Sequence, residues 1–485
     1  MLKIFLFVSL FYSDSKPYLV LIEKPVKNEI QYLTQTEKYF ITVLSKNELS
    51  RFKNEKINII GEYSEKEEYF IIKKRTPDTD IIPENILYKN ENFYILKGIP
   101  EKINTKYFFI KRISKNLKRF TPEKIKNDFP EYNKIKKYNQ IISDIVSMIS
   151  PDSVLNFIRT LQNFVTRNSY TQGCLDATNW AKNYMLNHGI DSVYFDYHTS
   201  GMAPNVIGIK YGLIDSYYVV SGHIDATIGI PWWEENIAPG ADDDGSGSSG
   251  VLECARVLGN YDFKYTIYFI LFTGEEQGLY GSQAFCQVHQ NDPIMGDIQL
   301  DMIGYVNFLP ESLDLISDQN SSWLMDSFEV YTQNYVPELK LIKIVDANFW
   351  YSDHSSFWDI GKSAILGIED KNVPNPYYHS EADTIGAGVN DINFCTNAIK
   401  ATAATIAGLA KPVVGISEKK YRSSGLSFLI RGNKLIFKKP ASGEIYRISG
   451  RKFLAFKKKQ LIKLKRGIWF INLEDKSFKI ITLKN

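Results

Sequence analysis

The sequence predicts an α/β protein: a mostly parallel central sheet flanked by helices, with a β-rich domain before it and a small β-sandwich after it. Three observations carry this. Between residues 141 and 409, apolar strand-like runs alternate with helix-period segments, the order that builds parallel βαβ units. Ahead of that stretch lie short runs rich in tyrosine, phenylalanine and isoleucine, separated by charged turns. Beyond it, short apolar runs return, with turn pairs such as Gly432-Asn433 between them. At 485 residues, 44% hydrophobic and 23% charged, the chain has the profile of a globular protein of several domains.

The first 15 residues set Lys3 before the apolar run Ile4–Tyr12 and the small residues Ser13 and Ser15, which is the pattern of a secretory signal peptide. That run is too short to span a bilayer, and no transmembrane segment is expected elsewhere. The N-terminal domain, 16–126, is read from the strands Tyr18–Ile22, Tyr39–Leu44, Tyr69–Ile72, Phe93–Leu96 and Tyr107–Ile110. It holds no histidine or cysteine, so neither metal nor thiol chemistry is expected of it. A lysine- and asparagine-rich linker follows over 115–138. The central domain, 135–411, is read as helices Ile141–Ile149, Pro151–Val165 and Asp176–His188, then strand Tyr217–Ser221, helix Ser246–Leu258, strand Tyr265–Phe272, helix Leu279–Val288 and strand Ile298–Ile303. An alanine-rich helix, Ala398–Leu409, is ended by Lys411-Pro412. The tail, 425–485, makes the sandwich from runs such as Phe428–Ile430, Lys434–Phe437 and Gly467–Ile471.

From Pro412 onward there are 19 lysines and arginines against 4 carboxylates. The lysines alternate with apolar residues, which reads as the solvated face of a β-domain, and no nucleic-acid partner is expected. The four cysteines, Cys174, Cys254, Cys286 and Cys395, have no CxxC spacing and exclude a thiolate zinc site. One disulfide is compatible with an oxidising compartment, its pairing left open.

Chemistry concentrates in five segments, most of them at strand ends, where open α/β sheets bind ligands. Ser221-Gly-His223-Ile-Asp225 puts a histidine and an aspartate on one side of extended backbone, so that Asp225 can orient a metal-bound His223. Ala238-Pro-Gly-Ala-Asp242-Asp243-Asp244-Gly holds three adjacent carboxylates, which repel unless a cation or solvent separates them. One of them also suits the cap of the helix just downstream. Thr273-Gly-Glu275-Glu276 offers one glutamate as ligand and one as base, or an acidic first helical turn. Asp301 closes an apolar strand, and His379 lies in Tyr378-His379-Ser-Glu-Ala-Asp383. Two histidines, two aspartates and a glutamate, with a further glutamate in reserve, are the inventory of two divalent metals sharing a carboxylate. Oxygen and imidazole ligands without sulfur favour a hydrolytic zinc site.

In these residues the sequence resembles the co-catalytic zinc aminopeptidases related to bacterial leucyl aminopeptidase, over roughly 144–410. The resemblance includes Asp176-Ala-Thr-Asn-Trp180, the Ala-Pro-Gly-Ala-Asp-Asp-Asp run, Glu-Glu-x-Gly-Leu-x-Gly-Ser, Ser352-Asp-His-Ser355 and Asn-Pro-x-x-His. It implies two Zn2+ per chain, one held by His223 and Asp301, the other by Glu276 and His379, with Asp243 bridging. It further implies Glu275 as general base, Asp225 orienting His223, a cis peptide between Asp243 and Asp244, and peptide substrates cut after an apolar N-terminal residue. Carboxypeptidases and glutaminyl cyclases share the fold and are the alternatives. His354 is left outside the metal set, and His188, His198 and His289 carry no motif. A relative's disulfide before the Ser-Asp-His block is absent, and Ala347-Asn-Phe-Trp-Tyr351 is expected to shape the specificity pocket instead. The tail is similar to C-terminal sorting domains of type IX secretion. With the signal peptide, this implies a secreted or cell-surface enzyme that uses that machinery, and makes the N-terminal domain a candidate pro-region.

Overall fold

Continuous apolar runs, not alternating ones, mark strands covered on both faces, and the central sheet follows this rule. The structure is a computed structural model. It describes residues 16–24, 26, 30–36, 38–75, 83–115, 118–120, 138–309, 311–372, 375–413 and five strands between 428 and 482. The signal-peptide stretch, most of the linker and the Gly432-Asn433 turn lie outside the described residues. The chain divides into two compact units, 1–413 and 414–485.

The first unit opens with strands β1 (Tyr18–Glu23), β2 (Ile30–Tyr32), β3 (Thr34–Gln35), β4 (Tyr39–Leu44), β5 (Ile57–Glu62), β6 (Tyr69–Lys74), β7 (Ile86–Lys89), β8 (Tyr94–Lys97), β9 (Phe108–Arg112) and β10 (Lys118–Phe120), with the short helix α1 (Lys46–Leu49). They pair into two four-stranded sheets, β3-β4-β1-β5 and β7-β8-β6-β9, and a β10-β2 ribbon.

Helices α2 (Gln140–Ser147), α3 (Pro151–Gln162) and α4 (Gln172–Asn187) follow. Next come β11 (Ser192–Asp196), β12 (Asn205–Lys210), β13 (Ile214–His223), α5 (Gly245–Leu258), β14 (Tyr265–Phe272), α6 (Tyr280–His289), β15 (Ile294–Leu300), β16 (Ser312–Ser317), α7 (Ser322–Tyr335), β17 (Lys340–Val345), α8 (His354–Asp359), β18 (Ala364–Ile368) and α9 (Ile392–Ala410). The eight strands lie in the order β11-β12-β14-β13-β15-β18-β16-β17. The centre is parallel, through β14-β13, β13-β15 and β15-β18. Antiparallel pairs β11-β12, β12-β14 and β16-β18 make the sheet mixed.

Side chains alternate between the two faces of these strands. Tyr218, Val220, Phe269 and Leu271 pack under α3, α5, α7 and α9, while Val219, Ile270 and Phe272 pack against Phe285 of α6 and Phe357 of α8. The four cysteines are buried and free, so the disulfide allowed by the sequence is not formed.

The N-terminal strands share a core with the central sheet's loops. Phe70, Ile72 and Phe108 cluster with Met202 and Tyr280, and Trp350 joins the cluster of Leu19, Ile41 and Ile95. Lys111 of β9 is buried against Asp359 of α8 at 3.1 Å and donates to Ser355 Oγ. A buried cation is tolerated only when so paired.

The second unit holds β19 (Phe428–Arg431), β20 (Lys434–Arg447), β21 (Lys452–Lys463), β22 (Gly467–Leu473) and β23 (Lys476–Thr482), all paired antiparallel. The long β20 pairs with β19, β21 and β22.

Candidate metal centre

The C-terminal ends of adjacent parallel strands deliver the acidic and imidazole groups to one place. His223 is the last residue of β13, Glu275 and Glu276 follow β14, and Asp301 follows β15. Asp243 comes from the loop before α5, and His379 from the loop before α9.

Two half-sites result. His223 Nε2 lies 3.3 Å from Asp243 Oδ1 and 3.6 Å from Asp301 Oδ1. His379 Nε2 lies 3.1 Å from Asp243 Oδ2 and 2.9 Å from Glu276 Oε2. Asp243 therefore presents one oxygen to each histidine. Both imidazoles are held at Nδ1 and turn Nε2 inward. His223 Nδ1 faces the Asp225 carbonyl at 3.2 Å and its carboxylate at 3.5 Å. His379 Nδ1 meets Thr105 Oγ1 at 2.7 Å. Such a contact fixes the ring and its tautomer and leaves Nε2 free to ligate.

The three adjacent aspartates take three jobs. Asp244 caps α5 through the Gly247 N–H and also accepts from the His223 and Met302 N–H groups. Its position near His223 and Asp301 suits a ligand by distance, but backbone donors already occupy its oxygens. Asp242 accepts from the Gly304 N–H and the Asn375 amide, tying two loops together. Asp243 alone faces the cluster. The peptide between Asp243 and Asp244 is cis, as the resemblance implied. Asp383 accepts from the Asp242 and Asp243 N–H groups and holds this turn.

Glu275 and Glu276 do not cap the following helix. Helix α6 begins at Tyr280, with no side-chain cap. Glu276 is buried in the second half-site, whereas Glu275 is partly exposed and lines the cavity above the cluster. One ligand atom each of His223, Glu275 and Glu276 lies within 4.8 Å of the others. Burial raises the Glu275 carboxyl pKa; His223 opposes this, and Glu276, Asp353 and Asp301 add to it. Asp243 is held below the usual carboxylate range: burial acts to raise it, but the neighbouring His223 and His379 imidazoles prevail.

The residues present fit zinc. Asp243 Oδ2, Glu276 Oε1 and His379 Nε2 are buried without a hydrogen-bond partner, although they crowd together. Buried polar atoms normally find one, so atoms converging without pairing point to a shared cation. The donors are imidazole nitrogen and carboxylate oxygen, the set of hydrolytic zinc sites with open positions.

Ser352 Oγ donates to Asp301 Oδ2 at 2.5 Å. His354 stays out of the metal set: Nδ1 meets Gln299 Oε1, Nε2 meets the Phe349 carbonyl, and burial lowers its pKa to about 3. Phe349 and Tyr351 line a cavity, partly open to solvent, beside the cluster. Two further walls, Arg75 just after β6 and Phe109 of β9, come from the N-terminal part of the chain, as does Thr105 from the loop before β9. Sequence reasoning missed these three. A threonine holding a histidine some 270 positions away leaves no local pattern.

Comparison with known proteins agrees with this geometry. Residues 205–403 match the model of peptidase family M28. A probable leucine aminopeptidase of Trichophyton verrucosum is 26% identical over 274 residues, covering 52% of this chain and 72% of that protein. A probable zinc metalloprotease of Pyrenophora tritici-repentis is 32% identical over 191 residues, covering 34% of this chain and 44% of that one. Among solved structures, the LapA aminopeptidase of Legionella pneumophila shares the fold, with a TM-score of 0.60, 22% identity and coverage of 71% of this chain and 98% of its own. LapB of the same organism gives a TM-score of 0.54 at 22% identity, covering 71% of this chain and all of its own. Residues 205–403 thus match the model of peptidase family M28, and the chain is similar to proteins named leucine aminopeptidase and zinc metalloprotease.

Proposed function

We propose that the chain is a secreted aminopeptidase that binds two zinc ions and releases apolar residues from peptide N-termini. The observation that carries the two-ion reading is Asp243, whose oxygens face different histidines at 3.3 and 3.1 Å. His223 and Asp301 would hold one ion, Glu276 and His379 the other, with Asp243 shared between them. Four carboxylates, Asp243, Glu275, Glu276 and Asp301, stand in one cluster, and two divalent cations offset that charge. Zinc bound there supplies Lewis acidity towards the scissile carbonyl and lowers the pKa of water.

Glu275, at the cavity face of the cluster, takes the proton of the attacking water and returns it to the leaving amine. Thr105 and Asp225 keep the two imidazoles oriented throughout. The side chain of the N-terminal residue lies against Phe349, Tyr351, Leu366 and Ile368, which supports the apolar preference. Export rests on the leader-like 1–15 stretch and the sorting-like tail. The contacts of Thr105, Arg75 and Lys111 favour an N-terminal domain that is retained over one that is shed.

The test is hydrolysis of a leucyl peptide in three forms, free, N-acetylated and C-amidated, with and without chelator. An aminopeptidase cuts the free and amidated forms, spares the acetylated one and stops with chelator. Cleavage of the acetylated form with the amidated form spared makes it a carboxypeptidase. Cyclisation of an N-terminal glutamine without hydrolysis makes it a glutaminyl cyclase.

A further inference from the structure

One charged group in the cavity is left unused by that reading. Arg75, immediately after β6, lies against two aromatic rings: its Cζ is 3.6 Å from the Tyr378 centroid and 4.7 Å from that of Phe109. Tyr378 in turn stacks on the ligand His379, with centroids 3.6 Å apart. The other side of Phe109 is stacked on Tyr351 at 3.7 Å. The guanidinium is thus packed against two rings where it lines the cavity.

No carboxylate among the described residues forms an ion pair with it, although it is partly buried and the cavity is rich in acids. Lys371, the cavity's other cation, is instead hydrogen-bonded to Asn372. An arginine fork held in plane by stacking is shaped for two parallel hydrogen bonds to a carboxylate. From His379 to Arg75 is two stacking distances, about the reach of two extended residues.

We propose that Arg75 is a specificity-determining residue that receives a carboxylate of the peptide substrate. This rests on the aminopeptidase reading above. The carboxylate is either the C-terminus of a di- or tripeptide or an acidic side chain, and both present the same group to the fork.

The experiment compares kcat/KM within two matched pairs: Leu-Gly against Leu-Gly-amide, and Leu-Glu-amide against Leu-Gln-amide. Wild-type protein is expected to favour the carboxylate-bearing member of one pair by about 10- to 100-fold, the range of a charge-assisted pair. A preference in the first pair identifies the C-terminus, and one in the second identifies the side chain. In Arg75→Met that ratio falls to near one, and in Arg75→Lys, a point charge without the fork, it falls part of the way. The wild-type ratios need no variant, so a poorly folding Arg75→Met leaves the proposal open to refutation. Wild-type ratios near one in both pairs overturn it, as does an Arg75→Met ratio equal to that of wild type. Hydrolysis of leucine p-nitroanilide, which has no carboxylate, reports separately on the aminopeptidase reading.

Discussion

Asp242, Asp243 and Asp244 are chemically identical neighbours, yet one ties loops, one faces the metal cluster and one caps a helix. What separates them is the backbone donors each meets, and a sequence does not display those. Glu275 and Glu276 divide in the same way, by which of them opens to the cavity. Glu275→Gln keeps the shape and removes the base. Turnover should fall by about 10²- to 10⁴-fold while zinc content, read by elemental mass spectrometry, stays at the wild-type level. Activity close to wild type would remove Glu275 from its role. Thr105→Val removes the oxygen at His379 Nδ1 with little change of volume. Zinc affinity or activity should drop by about 10- to 100-fold, and Thr105→Ser should restore it. If valine is tolerated, Thr105 only fills space.

At the scale of elements, the ligand-bearing strand ends were legible because each is an apolar run that stops at a polar residue. Tyr265–Phe272 matches β14 end to end, and β13 and β15 end at or just before His223 and Asp301. The strand ends that line up in a parallel sheet make the site. Pairing direction at the edges was not legible: β12 and β16 run antiparallel to their inner neighbours, a choice set by connections and not by composition. The contact between β9 and α8 was equally hidden. Lys111 reads as an ordinary surface lysine in Phe108–Arg112, but its side chain is 2% exposed and paired with an Asp359 that is 3% exposed. Removing one partner strands a buried charge, so Lys111→Met should destabilise the protein by about 3–5 kcal/mol, read by denaturant unfolding. Lys111→Met combined with Asp359→Leu should recover much of that loss. Equal losses in the single and double variants would show that the pair contributes nothing as a pair.

Across the whole molecule, the five proposed ligands and the proposed base could be brought together on paper because they sit in short motifs. The N-terminal domain's share in the site could not, because Thr105, Arg75 and Phe109 belong to no motif and act only through folding. The absence of histidine and cysteine there pointed away from the site, yet Thr105 of that domain touches His379, a proposed ligand, and Arg75 and Phe109 wall the cavity. A chain lacking residues 1–137 should lose activity even when metal is supplied, because Met202, Tyr280 and Trp350 lose their cover. A chain ending at Val413 keeps the first compact unit whole and should retain zinc and kcat/KM. Activity that survives the first deletion, or fails with the second, would reverse these assignments.

Five side chains, from three strand ends and two loops, are proposed to clasp two ions through one shared aspartate. Zinc counting by elemental mass spectrometry on the purified full chain tests this directly, alongside Asp243→Ala. Two zinc ions per chain in the wild type, with both lost or weakened by that single substitution, is the predicted result. One tightly bound ion in the wild type, or two that persist without the Asp243 carboxylate, would contradict it.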